Sequence, residues 1–268
     1  MVKEPTYHER GYWAVLLGAS SGIGLAVAHQ LASEGINLCV VHRDRRARVR
    51  ELEPEWETMR EHGVRVLTFN ADAIEFASMQ QILDEFSEAL GEGEKIRLLM
   101  HAVARGNLKS LYESNNPQLA TDDFVLTLDA MALSWHRWTM ACMERGLFAD
   151  SARNIGLTSE GSTRAWKGYG AVAAAKSTLE SLGRQMALEL APTGLRTNVL
   201  QPGVTDTPSL RMIPGSAEMM EAAQRRNPLG RLTRPNDVAQ VVSLLCRDEA
   251  DWINGAIIPV DGGESISA

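Results

Sequence analysis

A chain of 268 residues, 44% of them apolar and 23% charged, suits one large domain or two small ones with a substantial core. Its net charge of -7 argues against a phosphate-backbone binder or a polybasic membrane anchor, which leaves a small molecule as the expected partner, with no nucleic acid and no membrane. Cys39, Cys142 and Cys246 are scattered and form no CxxC pair, so neither a disulfide framework nor a zinc site is expected, and the compartment reads as reducing.

The opening stretch, MVKEPTYHERGYW, has no apolar leader core, and no run approaches the ~18 apolar residues of a membrane span; the reading is a soluble, cytoplasmic protein. Residues 13–17, WAVLL, form a short apolar run that stops at Gly18-Ala19-Ser20-Ser21-Gly22-Ile23-Gly24, after which LAVAHQLASEG has helical spacing. Strand, glycine turn and helix in that order suit a pyrophosphate. Glycines let the backbone approach closely, and the first free N–H groups of the helix face the anion, although a plain tight turn is the competing reading. INLCVV (36–41) is a second buried strand. At its end stand His42 and Arg43; arginine there accepts a 2′-phosphate, so Arg43, with Arg45 or Arg46 nearby, favours NADPH, while Asp44 keeps NADH possible.

A helix to about residue 62 leads to a third strand, VRVLTF (64–69), and to Asn70-Ala71-Asp72-Ala73, where Asp72 caps the next helix, accepts from an adenine amino group, or does both. IRLLMHAVA (96–104) is the fourth strand, and its carboxyl edge is where a doubly wound sheet binds ligands, so His101 and Ala102 are expected near the nicotinamide ribose. The polar stretch 106–122 suits a rim of the site. A long helix over 123–147 carries Trp135, His136 and Trp138, which read as core or, preferably, as subunit interface.

The fifth strand, about 152–158, delivers Thr158 and Ser159 to the sheet edge. The stretch that follows holds Tyr169 and Lys176 at the head of a helix running to Leu190 and closed by Pro192 and Gly194. Two turns separate the pair, and a heptad drifts only ~20° on an ideal helix, so phenol and ammonium leave one face. LRTNVLQ (195–201) is a sixth strand, ending at Pro202-Gly203-Val204-Thr205-Asp206-Thr207. A methionine-rich segment at about 205–230 reads as a mobile cover over a substrate or as an ordinary surface helix. A helix from Pro235 to about Cys246 and a seventh strand in GAIIPVDGG (255–263) complete an unbroken order that reads as one domain.

GASSGIG, the Lys176 helix, PGVTDT and NGAIIPVDGG together resemble the short-chain dehydrogenase/reductase family over nearly the whole chain. The resemblance implies an α/β fold, a single-domain Rossmann arrangement with a doubly wound seven-stranded parallel sheet, and commonly a homotetramer built from the helices at 123–147 and 169–190. It also implies NADPH, with NADH possible, bound by Gly18, Ser20, Ser21, Gly22, Ile23 and Gly24, by Arg43, Asp72 and Ala73, by His101 and Ala102, and by Lys176, Pro202, Val204 and Thr207. No metal is implied.

Most members carry Tyr-x-x-x-Lys, whereas this chain has Val172 at that tyrosine place and Tyr-x6-Lys instead. That spacing resembles the divergent enoyl-acyl-carrier-protein reductases, most of all enoyl-acyl-carrier-protein reductase III, and His101 in place of the usual asparagine agrees. Ser159 and Glu160 stand where others of that branch have a further tyrosine, and Thr127 replaces the usual helix asparagine. The implied activity is reduction of an α,β-unsaturated acyl thioester carried by acyl carrier protein or coenzyme A, with Tyr169, Lys176 and Ser159 catalytic. A carbonyl reductase and a non-catalytic dinucleotide sensor are the alternatives.

Overall fold

The computed structural model describes residues 7–267; residues 1–6, part of the stretch read for a leader, lie outside the described residues. The chain alternates strand and helix. β1 (Tyr12–Leu17), α1 (Gly22–Ser33), β2 (Asn37–His42), α2 (Arg46–Arg60) and β3 (Val66–Asn70) come first. Then follow α3 (Phe76–Ala89), β4 (Lys95–His101), α4 (Thr121–Leu128), α5 (Ser134–Glu144) and β5 (Phe148–Leu157). The last third holds α6 (Gly170–Glu189), β6 (Arg196–Pro202), α7 (Pro208–Arg211), α8 (Ser216–Arg226), α9 (Pro235–Cys246) and β7 (Ile257–Val260). All seven strands pair in parallel in the order β3-β2-β1-β4-β5-β6-β7, the doubly wound sheet expected from the sequence.

Strands buried on both faces explain the near-continuous apolar runs. In β1, Ala14 and Leu16 face a core shared with α1, α2 and α9, while Trp13, Val15 and Leu17 face α3 and α5. The order reverses between β1 and β4, so the chain opens a crevice at their carboxyl ends, around Leu17 and His101. Among the described residues no helix is long and apolar enough to cross a membrane.

The predicted helix at 123–147 is α4 and α5 joined by a π-helical turn, Asp129–Leu133. Trp135 and Trp138 are fully buried, which corrects the preference for a subunit interface: their indole N–H groups find partners inside the fold, at Asn154 Oδ1 (2.6 Å) and the Ala73 carbonyl (2.7 Å). His136 is exposed. The Trp135 ring lies in a slot kept open by glycine. A Cβ on Gly156 would come within 2.9 Å of that ring, and one on Gly183 of α6 would come within 2.8 Å of Val199 and 3.4 Å of the ring.

Candidate active site

The glycine turn after β1 is shaped by three close approaches. Gly18 (φ +87°) would place a Cβ 2.8 Å from the Ala102 carbonyl oxygen, Gly22 (φ +54°) one 3.0 Å from Thr207 Cγ2, and Gly24 one 2.4 Å from the Gly18 carbonyl oxygen. These contacts gather the ends of β1 and β4 and the start of α7 around one opening. Ser21 is the N-cap of α1 but lends no side-chain hydrogen bond, and the first turn holds no acid, so the leading N–H groups at Gly22, Ile23 and Gly24 face an anion-ready space beside Ser20. A pyrophosphate fits this cradle.

At the adenosine end, Arg43 Nη1 donates to Asp72 Oδ2 at 2.7 Å, and Arg105 Nη1 donates to the same oxygen at 3.0 Å. Asp72 Oδ1 accepts from the Ile74 N–H at 3.0 Å just ahead of α3, so the capping reading of this residue is realised within an ion cluster. Burial pushes the Asp72 carboxyl up, but the Ile74 N–H and the two arginines outweigh it and hold the group below the usual carboxylate range. Ala73 turns its carbonyl inward to Trp138. The second cation at the glycine turn is Arg48, not Arg45 or Arg46: Arg48 Nη2 donates to the Ser20 carbonyl at 3.2 Å, whereas Arg45 and Arg46 stand exposed at the start of α2. A position one turn into the helix faces α1, which a reading by proximity in sequence misses.

At the reacting end, Ser159 Oγ and Tyr169 Oη lie 3.3 Å apart as a hydroxyl pair. Tyr169 is the N-cap of α6, and Gly161 leaves room for its ring, since a Cβ there would come within 2.4 Å of it. Burial raises the phenol above its ordinary value, against a smaller lowering by Ser159, so it stays protonated over the working range. Lys176 is buried and donates to the Leu157 carbonyl at 2.7 Å. The group that lowers the phenol is Ser159. Burial pulls Lys176 down to about 8, and the Glu180 carboxylate one turn on opposes that fall. Glu180, itself buried, accepts from Thr158 Oγ1 at 2.5 Å, which occupies Thr158 and leaves Ser159 as the hydroxyl at the phenol.

One expectation needs correction. His101 does not present its side chain to the crevice: the ring is 2% exposed, its Nε2 lies 2.8 Å from Ser134 Oγ, and burial together with Lys176 pulls it down to about 3, so it is a neutral core group. At the edge where β6 ends, the Val204 N–H donates to Glu264 Oε2 at 3.0 Å. Thr127 stays on α4, donating to the Asp123 carbonyl and accepting from the Asn107 N–H. Pro202 ends β6 at the same edge.

The family model described as Enoyl-(Acyl carrier protein) reductase matches residues 18–265. The chain belongs to the short-chain dehydrogenase/reductase family. As a member of that family it is an oxidoreductase that uses a nicotinamide dinucleotide. The uncharacterized oxidoreductase YjdA of Bacillus subtilis is 29% identical over 273 residues, covering 96% of this chain and 98% of its own length. Cyclohexanol dehydrogenase of a Rhodococcus species is 28% identical over 274 residues, covering 96% and 97%. A short-chain dehydrogenase from Burkholderia cenocepacia in complex with NADP superposes with a TM-score of 0.80 at 25% identity, over 96% of this chain and 99% of that one.

Within this family the departure at Val172 has a structural cause. Val172 is 5% exposed and packs with Ala130, Met131 and Ala175, and its methyl lies where a Cβ on Gly106 would fall, at 2.5 Å. The place one turn closer to Lys176 is therefore apolar and closed, and the phenol available to a substrate belongs to Tyr169. Sequence reasoning missed Arg48, Arg226 and Glu264, whose pairings are long-range and which no local motif signals, and Glu180, which stands one turn from Lys176 but bonds Thr158 across the fold.

Proposed function

We propose that this protein reduces the carbon–carbon double bond of an α,β-unsaturated acyl thioester with NADPH. The observation that carries the reading is the Ser159–Tyr169 hydroxyl pair at 3.3 Å beside a buried Val172. The reduced nicotinamide supplies the hydride when bound. Added at the β-carbon, the hydride pushes charge onto the thioester oxygen as an enolate, and Tyr169, protonated and oriented by Ser159, donates a hydrogen bond to it until the α-carbon takes a proton from solvent; one such donor is worth ~2.7–4 kcal/mol of barrier. Lys176 holds the ribose hydroxyls, and its cation favours the developing negative charge. Gly18, Ser20, Ser21, Gly22, Ile23, Gly24 and Thr207 hold the pyrophosphate, while Arg43 and Arg48 suit a 2′-phosphate and so NADPH over NADH.

The name of the Rhodococcus relative favours a second reading, reduction of a carbonyl with the same phenol protonating an alkoxide. Following reduced-nicotinamide absorbance with a crotonyl thioester, an acetoacetyl thioester and cyclohexanone separates the two. The expected result is kcat/KM about tenfold or more higher for the crotonyl compound, a difference of ~1.4 kcal/mol in barrier. A preference for either ketone replaces the enoyl reading with the carbonyl one, and tight NADPH binding with no turnover leaves a sensor.

The same reading includes a homotetramer in the cytoplasm, presenting α4 and α6 to partner copies. Val125, Leu126 and Leu188 are 58%, 63% and 73% exposed on those helices, and light scattering gives the mass directly.

A further inference from the structure

The segment over the crevice, α7 and α8, is thinly packed. Ala223 is its one residue with a buried side chain, and Met212 is 76% exposed. So little buried apolar area cannot hold a segment in one position, and such segments open at low cost. Its near end is fixed by Thr207, which accepts from the Leu210 N–H at 3.2 Å and rests its methyl against Gly22. Its far end is fixed by Arg226, the last residue of α8, and by the buried Asn227 that follows it, whose Nδ2 donates to the Asp261 carbonyl at 2.8 Å; of the two, only Arg226 reaches the turn that bears Ser159.

Arg226 Nη2 donates to Glu160 Oε2 at 2.7 Å and to Glu264 Oε1 at 2.6 Å. The three side chains are 12%, 21% and 3% exposed, so this is a largely desolvated cluster. Each carboxylate has a second commitment. Glu160 follows Ser159 in the chain and accepts from Arg164 Nη1 at 2.9 Å. Glu264 turns its other oxygen to the Val204 N–H, and Gly203 makes room for it, because a Cβ there would lie 2.7 Å from Glu264 Oε2. Taking such charges out of water is costly, and a similar volume of apolar side chain would hold the fold at least as well. What an apolar contact would not supply is a fixed register between three separate pieces of chain.

We propose that Arg226 is a positioning residue: it clamps the carboxyl end of the substrate cover to the turn bearing Ser159 and to the loop bearing Val204, so that the cover closes in register with the Ser159–Tyr169 pair. The inference rests on reading that pair as the reacting end. It adds that the cover is hinged between Thr207 and Arg226, with the free arc at 208–225.

Limited proteolysis and steady-state kinetics of Arg226→Met, Arg226→Lys and Glu160→Gln in the full chain test this. Arg226→Met is expected to raise the rate of cleavage within 208–225 about tenfold or more, with cleavage elsewhere unchanged. It is expected to raise KM for the best substrate by a similar factor while kcat changes less. Arg226→Lys, which keeps the charge but not the forked geometry, recovers part of both effects, and Glu160→Gln, which weakens one arm, falls between. Unchanged cleavage and KM in Arg226→Met overturn the proposal, as does a uniform rise in cleavage along the whole chain. If Arg226→Met does not fold, Glu160→Gln decides alone, by the same two readouts. The proteolysis needs no substrate, so failure of the crotonyl thioester to react bears on the enoyl reading and leaves the clamp tested.

Discussion

The two ends of the sheet are built on opposite plans. At the amino end, Arg97 of β4 and Arg153 of β5, each 1% exposed, are held on nearly every side. Arg97 donates to the Cys246 carbonyl, to the Ser151 carbonyl and to Asp248; Arg153 donates to the Leu245 and Arg247 carbonyls and to Asp251. Together they satisfy the last carbonyls of α9, which a helix end leaves without partners. At the carboxyl end charges are paired too, Arg43 with Asp72 and Arg226 with Glu160 and Glu264, but the two donors at the reacting position are lightly held, Tyr169 by one 3.3 Å hydroxyl contact and Lys176 by one carbonyl. One end spends its charges on rigidity; the other keeps donors available for a ligand.

The sharpest way to break this contrast is at the amino end. Arg153→Met takes the buried donor from the Leu245 and Arg247 carbonyls and from Asp251, which keeps Ser151 Oγ, and is expected to cost about 2–3 kcal/mol, read as a large fall in the thermal midpoint. A midpoint that barely moves would mean the seal is ornamental. At the carboxyl end, Tyr169→Phe is expected to lower turnover by ~100–1,000-fold while the thermal midpoint and NADPH affinity hold; unchanged turnover removes Tyr169 from its role.

Acid probes the ground between the two ends. His101 titrates at about 3 in the folded chain against 6.5 when free, so below pH 6.5 the unfolded chain takes up a proton that the folded chain refuses. Stability contributed by this group is complete above pH 6.5 and falls by about 1.4 kcal/mol per pH unit toward 3. Urea midpoints at pH 7 and 5 should show the slope, and His101→Gln should flatten it. The smallest effect concerns Lys176. With a value of about 8, its charged form is lost as pH rises through that point, giving turnover an alkaline limb there. Glu180→Gln removes the carboxylate that raises it and should move the limb about one pH unit lower; a limb that stays in place means that another group sets it.

Periodic apolar runs and glycine punctuation carried the alternation of strand and helix, the family resemblance implied the doubly wound sheet, and its motifs pointed to Ser159, Tyr169, Lys176 and the glycine cradle at one edge. What stayed hidden shares one cause. Arg97 bonds a carbonyl 149 positions away and Arg226 a carboxylate 66 away, and no window of sequence contains either pair. The π-helical turn at Asp129–Leu133 inserts one extra residue into a pattern that otherwise reads as continuous helix. For Trp135 and Trp138, apolar bulk on a helix does not say whether it meets the same chain or another copy; Asn154 and the Ala73 carbonyl decide it. His101 followed the same logic, since alternation along a strand fixes a face but not what lies beneath it.

The tryptophan slot makes α6 a lever. Trp135 sits between sheet and helix near Gly183, and Tyr169 and Lys176 ride the same rod at its other end. A methyl group added at Gly183 would meet the buried Val199 at 2.8 Å and the indole at 3.4 Å, so the helix is expected to give way there and take the phenol with it, without altering any residue a substrate touches. Activity in this molecule is thus exposed to a kind of silent misalignment, in which the chemistry is intact and the aim is lost.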